Sequence, residues 1–270
     1  MLKRARFQII IICSFLLFLA SCSEVAITGR KQLNLVPDSV MNSMSLQSYN
    51  EFLAENKLSD NAEQTAMVKR VGKRISDAVE RYAAENGISD RLQGYQWEFN
   101  LVDDNSVNAW AMPGGKVVVY TGLMPVAENE AGLAVVMGHE IAHAIARHGS
   151  ERMTQGLLVE LGGMGLSQAL TKYPAETKDL FLKSYNAGAQ YGVLLPYSRA
   201  HESEADHMGL IFMAMAGYDP HEAINFWERM SAANKGAAAP PELLSTHPAD
   251  STRIERIKEL MPEAMQYYHK

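Results

Sequence analysis

Apolar residues recur at helical spacing through most of this 270-residue chain, and the places where that period fails predict the rest of the architecture. Asp38 to Leu53 and Asn61 to Asn86 read as helices, the second on Ala66, Val68, Val71, Ile75 and Val79, with Gly87 as its stop. The pattern then changes. Trp97-Glu98-Phe99-Asn100-Leu101-Val102 alternates with period two, and the β-branched run Lys116-Val117-Val118-Val119-Tyr120 follows the turn residues Pro113-Gly114-Gly115, which predicts a small antiparallel sheet. Helical spacing resumes at about Thr121 and returns from Ser150 to Leu170, Glu176 to Gly188, Ser198 to Ala216, Pro220 to Ala233 and Pro248 to Leu260. Two stretches interrupt it: the glycines at 162, 163 and 165, and a loop from Gly236 to Pro241 that ends in prolines. The sum is a mostly helical α+β fold, expected as one domain over residues 38–270.

The amino-terminal residues break this pattern. Lys3, Arg4 and Arg6 precede an apolar run from Phe7 to Leu19 that is too short and too asymmetrically flanked for a transmembrane helix, so residues 1–21 read as a signal peptide. Leu19-Ala20-Ser21-Cys22 resembles the bacterial lipobox, which makes Cys22 the lipidated first residue of a membrane-anchored mature chain. Cys13 falls in the segment to be removed, leaving no disulfide. Residues 22–37, with a Thr28-Gly29-Arg30-Lys31 turn, read as a polar, irregular tether and lead-in. Ser23 after the cysteine, by resemblance to enterobacterial lipoproteins, points to the periplasmic side of the outer membrane. A formal charge of −6, with no Lys/Arg cluster beyond the signal, argues against nucleic acid as a partner.

The candidate chemistry lies in His139-Glu140-Ile141-Ala142-His143. Residues four apart are separated by about 40° around a helix, so His139 and His143 can grip one metal ion from one face. Glu140 stands beside them as a general base for a metal-bound water. The surrounding residues, from Ala131 to Ala146, are small and apolar, which predicts a buried helix in which a divalent ion satisfies the polar side chains.

A catalytic zinc takes three protein ligands and keeps one position open, so a third ligand is expected downstream. Ser198-Arg199-Ala200-His201-Glu202-Ser203-Glu204-Ala205-Asp206 opens an apolar helix with acids. Glu202 and Asp206 share a face, the first suited to ligate the metal and the second to hold a ligand imidazole. Glu204 points about 200° away from Glu202 and reads as an acid favoured by the helix dipole. His148, about 140° past His143 on a continued helix, reads first as structural and second as an outer partner of a metal ligand.

At these residues the chain resembles the HExxH zinc metallopeptidase family that includes the CAAX prenyl endopeptidases, HtpX, BepA and LoiP. The blocks that carry the resemblance are His139–His143, Ser198-Arg199-x-x-Glu202-x-x-Ala205-Asp206, and Ser245-Thr246-His247-Pro248 followed by Arg253. Residues 25–35 are similar to the lead-in of LoiP-like periplasmic lipoprotein peptidases, and Asn108-Ala109-Trp110-Ala111-Met112-Pro113-Gly114-Gly115 is similar to the family segment before the metal helix. The resemblance implies a zincin-like domain holding one Zn2+ on His139, His143 and Glu202, with Glu140 as base and Asp206 in support. It implies that Arg253 and His247 act beside the metal, His247 either stabilising the oxyanion or reversibly filling the open position as a fourth ligand. Asn108 and Ala109 match the edge that pairs with substrate backbone, while Trp110 either lines the cleft or packs.

The expected activity is endoproteolysis of misfolded or envelope proteins in bacterial protein quality control, with outer-membrane assembly machinery as a partner. The competing expectation is a chaperone-like scaffold for envelope proteins whose zinc is mainly structural. An intact Glu140 argues against it, since a structural site has no use for a base.

Overall fold

The computed structural model describes residues 22–25, 27–159, 166–172, 174–185, 198–234, 241–247 and 252–269. The signal-peptide reading, the glycines at 162–165, the loop at 236–240 and the helix start at Pro248 lie outside them. No helix among the described residues is long and apolar enough to cross a membrane.

The described residues begin with a hairpin in place of the irregular tether expected from the polar sequence of residues 22–37. β1 (Cys22–Glu24) pairs antiparallel with β2 (Lys31–Leu33), closed by a turn in which Val25 N donates to Arg30 O and Gly29 takes φ +67°. Val25 and Gln32 are buried, and Leu35 N donates to Thr154 Oγ1, so the lead-in is packed onto the body.

α1 (Asp38–Glu55) and α2 (Ala62–Glu85) follow the predicted bounds closely. In α2 the apolar face is Val68, Val71, Ile75, Val79 and Tyr82, all buried, with Asn61 capping the start by accepting from Gln64 N. Its end is fixed by Gly87 at φ +67°, where Gly87 N and Ile88 N return to the carbonyls of Ala84 and Ala83.

The sheet differs from the all-antiparallel expectation. β3 (Glu98–Val102), β4 (Ala109–Met112) and β5 (Lys116–Tyr120) are ordered β3-β5-β4, with β4 antiparallel and β3 parallel to β5. The reason is local. Gly114 and Gly115, both at positive φ, close a hairpin between β4 and β5. The chain leaving β3 turns around the end of β5, where Thr121 Oγ1 and Gly122 N donate to Asp104 O, and adds β4 on the far side. β4 had no visible alternation because both of its faces are buried.

One face of the sheet (Phe99, Leu101, Ala109, Ala111, Val117, Val119) packs with α2 and the motif helix, and the other (Val102, Trp110, Met112, Val118, Tyr120) with α1. Trp110 belongs to the second face, edge-on to Tyr49 and Phe52, and donates from Nε1 to Tyr120 Oη, so it packs away from the motif helix. After the short α3 (Met124–Ala127) come α4 (Glu130–Ile145), which carries the motif, and α5 (His148–Val159). The long predicted helix from Ser150 is thus part of α5, with α6 (Leu166–Lys172) and α7 (Pro174–Ser184) beyond the undescribed glycines. α8 (Arg199–Met215), α9 (Glu222–Asn234), the short α10 (Glu242–Thr246) and α11 (Arg253–Ala264) complete it.

α4 and α8 cross at two glycines. A Cβ on Gly138 would meet Gly209 O at 3.0 Å, and one on Gly209 would meet His139 N at 3.0 Å, so only glycine allows this approach. That contact sets the distance between the motif histidines and Glu202. Gly209→Ala should therefore lower stability by about 1–3 kcal/mol, despite alanine's better helix propensity, and weaken zinc binding. Thermal unfolding checks this, and unchanged stability would contradict it.

Candidate metal centre

Three segments deliver the site. Asn129 caps α4 by accepting from Gly132 N, and from Gly132 to Ile145 the helix is buried, carrying His139, Glu140 and His143 inward. Ser198 caps α8 by accepting from His201 N, so Glu202 lies in its first turn. His247 follows α10, its backbone N–H bonded to Leu243 O.

His139, His143, Glu202 and His247 are all buried and bring four donor atoms within 4.8 Å of one another. His139 Nε2 lies 3.1 Å from His143 Nε2 and 3.3 Å from His247 Nδ1. Glu202 lies 3.4 Å from the Nε2 of both motif histidines and 3.0 Å from His247 Nδ1. Donors at roughly 2.0–2.1 Å around a tetrahedral ion are themselves about 3.3 Å apart, so these spacings fit a zinc site.

The proton inventory fits as well. His139 Nδ1 is 3.0 Å from Asp206 Oδ1, which can only accept, and His143 Nδ1 is 2.8 Å from His148 Nδ1. When both Nδ1 positions donate, both Nε2 lone pairs converge with a carboxylate on one point, an arrangement that a cation satisfies directly. Glu202 Oε2 and Glu140 Oε1 are buried without a hydrogen bond.

The charges around the point are graded. Burial pushes Glu140 up to about 7, and the nearby Glu202 charge adds to the shift while His247 and Arg253 oppose it. Burial would also raise Glu202, but His247, His139 and His143 outweigh it and hold the carboxyl well below its usual range. His143 is kept neutral chiefly by burial. Arg253, 1% exposed, donates from Nη2 to Asp206 at 2.6 Å, places Nη1 3.3 Å from Glu202 and lies 3.4 Å over the Trp227 ring.

His139, His143, Glu202 and His247 thus lie in one buried cluster, with Glu140, Asp206 and Arg253 against it. Asn108 and Ala109 lie elsewhere, at the start of β4, which packs on α4; both are buried, and Asn108 Oδ1 accepts from Ala109 N. Cys22 opens β1.

Two residues read as peripheral lie directly behind the cluster. The helix breaks at Arg147, φ +61°, so His148 starts a new helix and its ring turns back onto His143. Glu204, read as a helix-dipole acid, faces away from Glu202 as expected but is buried, 3.1 Å from His148 Nε2 and 2.7 Å from Arg30 Nε. Burial would raise its pKa, yet hydrogen bonds from His148, Thr28 and Arg30 hold it at about 2.

Comparison with known proteins agrees with this geometry. Residues 69–261 match the model of Peptidase family M48. The chain is 35% identical over 243 residues to mitochondrial metalloendopeptidase OMA1 of Schizosaccharomyces pombe, covering 89% of this chain and 66% of that one. It is 30% identical over 257 residues to mitochondrial metalloendopeptidase OMA1 of Homo sapiens, covering 93% and 48%. It is 34% identical over 161 residues to the beta-barrel assembly-enhancing protease of Yersinia pestis, covering 58% and 33%. The chain thus spans less than two thirds of the length of each of these relatives. Since the family match takes in well over half of its residues, the chain belongs to peptidase family M48, the zinc-dependent HExxH metallopeptidases, as its motifs implied.

Proposed function

We propose that this chain is a membrane-anchored zinc metalloendopeptidase that cleaves misfolded or envelope proteins in bacterial protein quality control. The observation that carries the proposal is the convergence of His139, His143 and Glu202 with Glu140 buried beside them. His139, His143 and Glu202 would hold the zinc, which would supply Lewis acidity toward the scissile carbonyl and a water. Glu140 accepts the water's proton and passes it to the leaving amine, both open to a buried carboxylate beside the donors. Asp206 keeps the His139 proton on Nδ1, and Arg253 holds Asp206 and Glu202 in place, a positioning role.

His247 supplies the fourth corner, with Nδ1 among the donors and Nε2 3.4 Å from Glu140 Oε1. Leu243 N, one turn earlier, donates to Val107 O at the entrance to β4. An extended substrate adding to the β4 edge at Asn108 and Ala109 would compete with this segment, which favours the reading of His247 as a plug over oxyanion stabilisation. His247→Ala should then raise cleavage of an unfolded protein by about tenfold, as release of an occupied site would; a fall in rate would assign His247 to the oxyanion instead.

Anchoring rests on the lipobox-like Leu19-Ala20-Ser21-Cys22 and the basic, apolar segment before it. Cys22→Ser should move the protein from the detergent to the aqueous phase on Triton X-114 partitioning, whereas continued detergent partitioning would remove Cys22 as the anchor. Relatives are named both for mitochondria and for β-barrel assembly, and the second name supports an outer-membrane location and a partner in that machinery. Cells lacking the protein and complemented with Glu140→Gln should accumulate uncleaved envelope proteins. Full complementation by that variant would favour the scaffold reading, since a binding role survives loss of the base.

A further inference from the structure

On the Nδ1 side of His143 lies a second buried polar cluster that the proposed reaction does not use. His148 links His143 to Glu204, with contacts of 2.8 and 3.1 Å, and its ring stacks on His201 at 4.4 Å. Arg30 closes the cluster from the lead-in. Its Nε donates to Glu204 Oε2 at 2.7 Å, and its Nη1 and Nη2 donate to the two oxygens of Glu151 at 3.1 and 2.8 Å. Thr28 Oγ1 donates to Glu204 Oε1, and Glu151 is also 3.0 Å from His201 Nε2.

The contacts dictate where protons sit. If His143 offers Nε2 to a metal, its proton is on Nδ1 and is donated to His148 Nδ1. His148 must then carry its own proton on Nε2, which Glu204 accepts. Glu204 holds this relay in line only while its other lone pairs are directed, and the hydroxyl of Thr28 and the Nε–H of Arg30, whose fork is fixed on Glu151, direct them. His139 has a comparable relay, Asp206 and Arg253, but that one is built from α8 and α11. The relay behind His143 ends instead in the hairpin that begins at Cys22.

We propose that Thr28 and Arg30 are positioning residues of the metal centre, orienting His143 through Glu204 and His148. Docking of the lead-in and binding of zinc then reinforce each other, and by linkage each must stabilise the other. The proposed membrane attachment point and the metal centre are in this way joined through one short hairpin.

The test reads metal binding and leaves proteolysis aside, because the inference rests on the metal-centre reading. Zinc affinity is measured by chelator competition on the chain from Cys22 onward, with the visible spectrum of the cobalt-substituted protein as a report on the ligand field. Arg30→Ala should bind zinc about tenfold more weakly and alter the cobalt spectrum, as loss of an outer partner does. Arg30→Lys should recover part of both, since an ammonium keeps the charge without the fork. Zinc should also slow tryptic cleavage after Arg30 and Lys31 in the wild type, and should do so less in Glu204→Gln. If Arg30→Ala fails to fold, Thr28→Val at an exposed residue reads the same coupling. Wild-type affinity and spectrum in the Arg30 or Thr28 variant, or cleavage indifferent to zinc, would overturn the inference alone. A wild-type chain that takes up no zinc would overturn the metal centre as well.

Discussion

Replacing Glu140 by glutamine is expected to leave zinc bound and to cut hydrolysis of an unfolded protein by about 10²- to 10⁴-fold. Glutamine has the shape of glutamate, and Glu140 Oε1 makes no hydrogen bond that the substitution would break. The four converging donors do not include Glu140, so metal affinity has no reason to fall. What disappears is the basicity. A carboxylate can take a proton from water and return it to an amine, and an amide can do neither. Casein digestion with matched zinc analysis gives both readings, and a fully active, zinc-replete variant would remove Glu140 from the mechanism.

Arg253→Leu should cost the zinc-free protein about 3–5 kcal/mol of stability, because it leaves buried carboxylates without their counter-charge. Asp206 and Glu202 are both buried and both face the guanidinium, which is itself almost wholly enclosed and stacked on Trp227. Zinc should restore part of the loss, since a ligand that binds only the folded state stabilises it and the ion offsets the Glu202 charge. Arg253→Lys should fall between, keeping the charge but losing the two-pronged contact and the flat stack. Denaturant unfolding with and without zinc separates these effects. A leucine variant as stable as wild type without metal would show that the carboxylates find another partner.

The sequence announced those parts of the molecule whose periodicity is local. α2 was legible because Val68, Val71, Ile75 and Val79 repeat along one face and Gly87 ends it, and α4 because a histidine pair sits four apart in an apolar run. The parts that escaped depend on contacts distant in the chain. β4 is buried on both faces and shows no alternation, so its place beside β5, and with it the mixed sheet, was invisible. α10 hides behind prolines that read as a loop. The contact of His148 with His143 was hard to foresee because a non-glycine residue, Arg147, adopts φ +61° with no local signal for a helix break. Glu204 was misjudged because its partners, Thr28 and Arg30, lie more than 170 residues away in a segment that looked like a polar tether. The four clustered donor residues were within reach of motif reasoning; the contacts made behind them by His148 and Glu204 were not.

The central claim is that His139 and His143 from one helix and Glu202 from another hold a single zinc ion. Anomalous diffraction from crystals of the purified protein, recorded on both sides of the zinc absorption edge, tests it most directly. The account predicts one strong peak, with His139 Nε2, His143 Nε2 and a Glu202 oxygen each at about 2.0–2.2 Å. A folded protein with no peak, or with a peak that Glu202 does not reach, would contradict it.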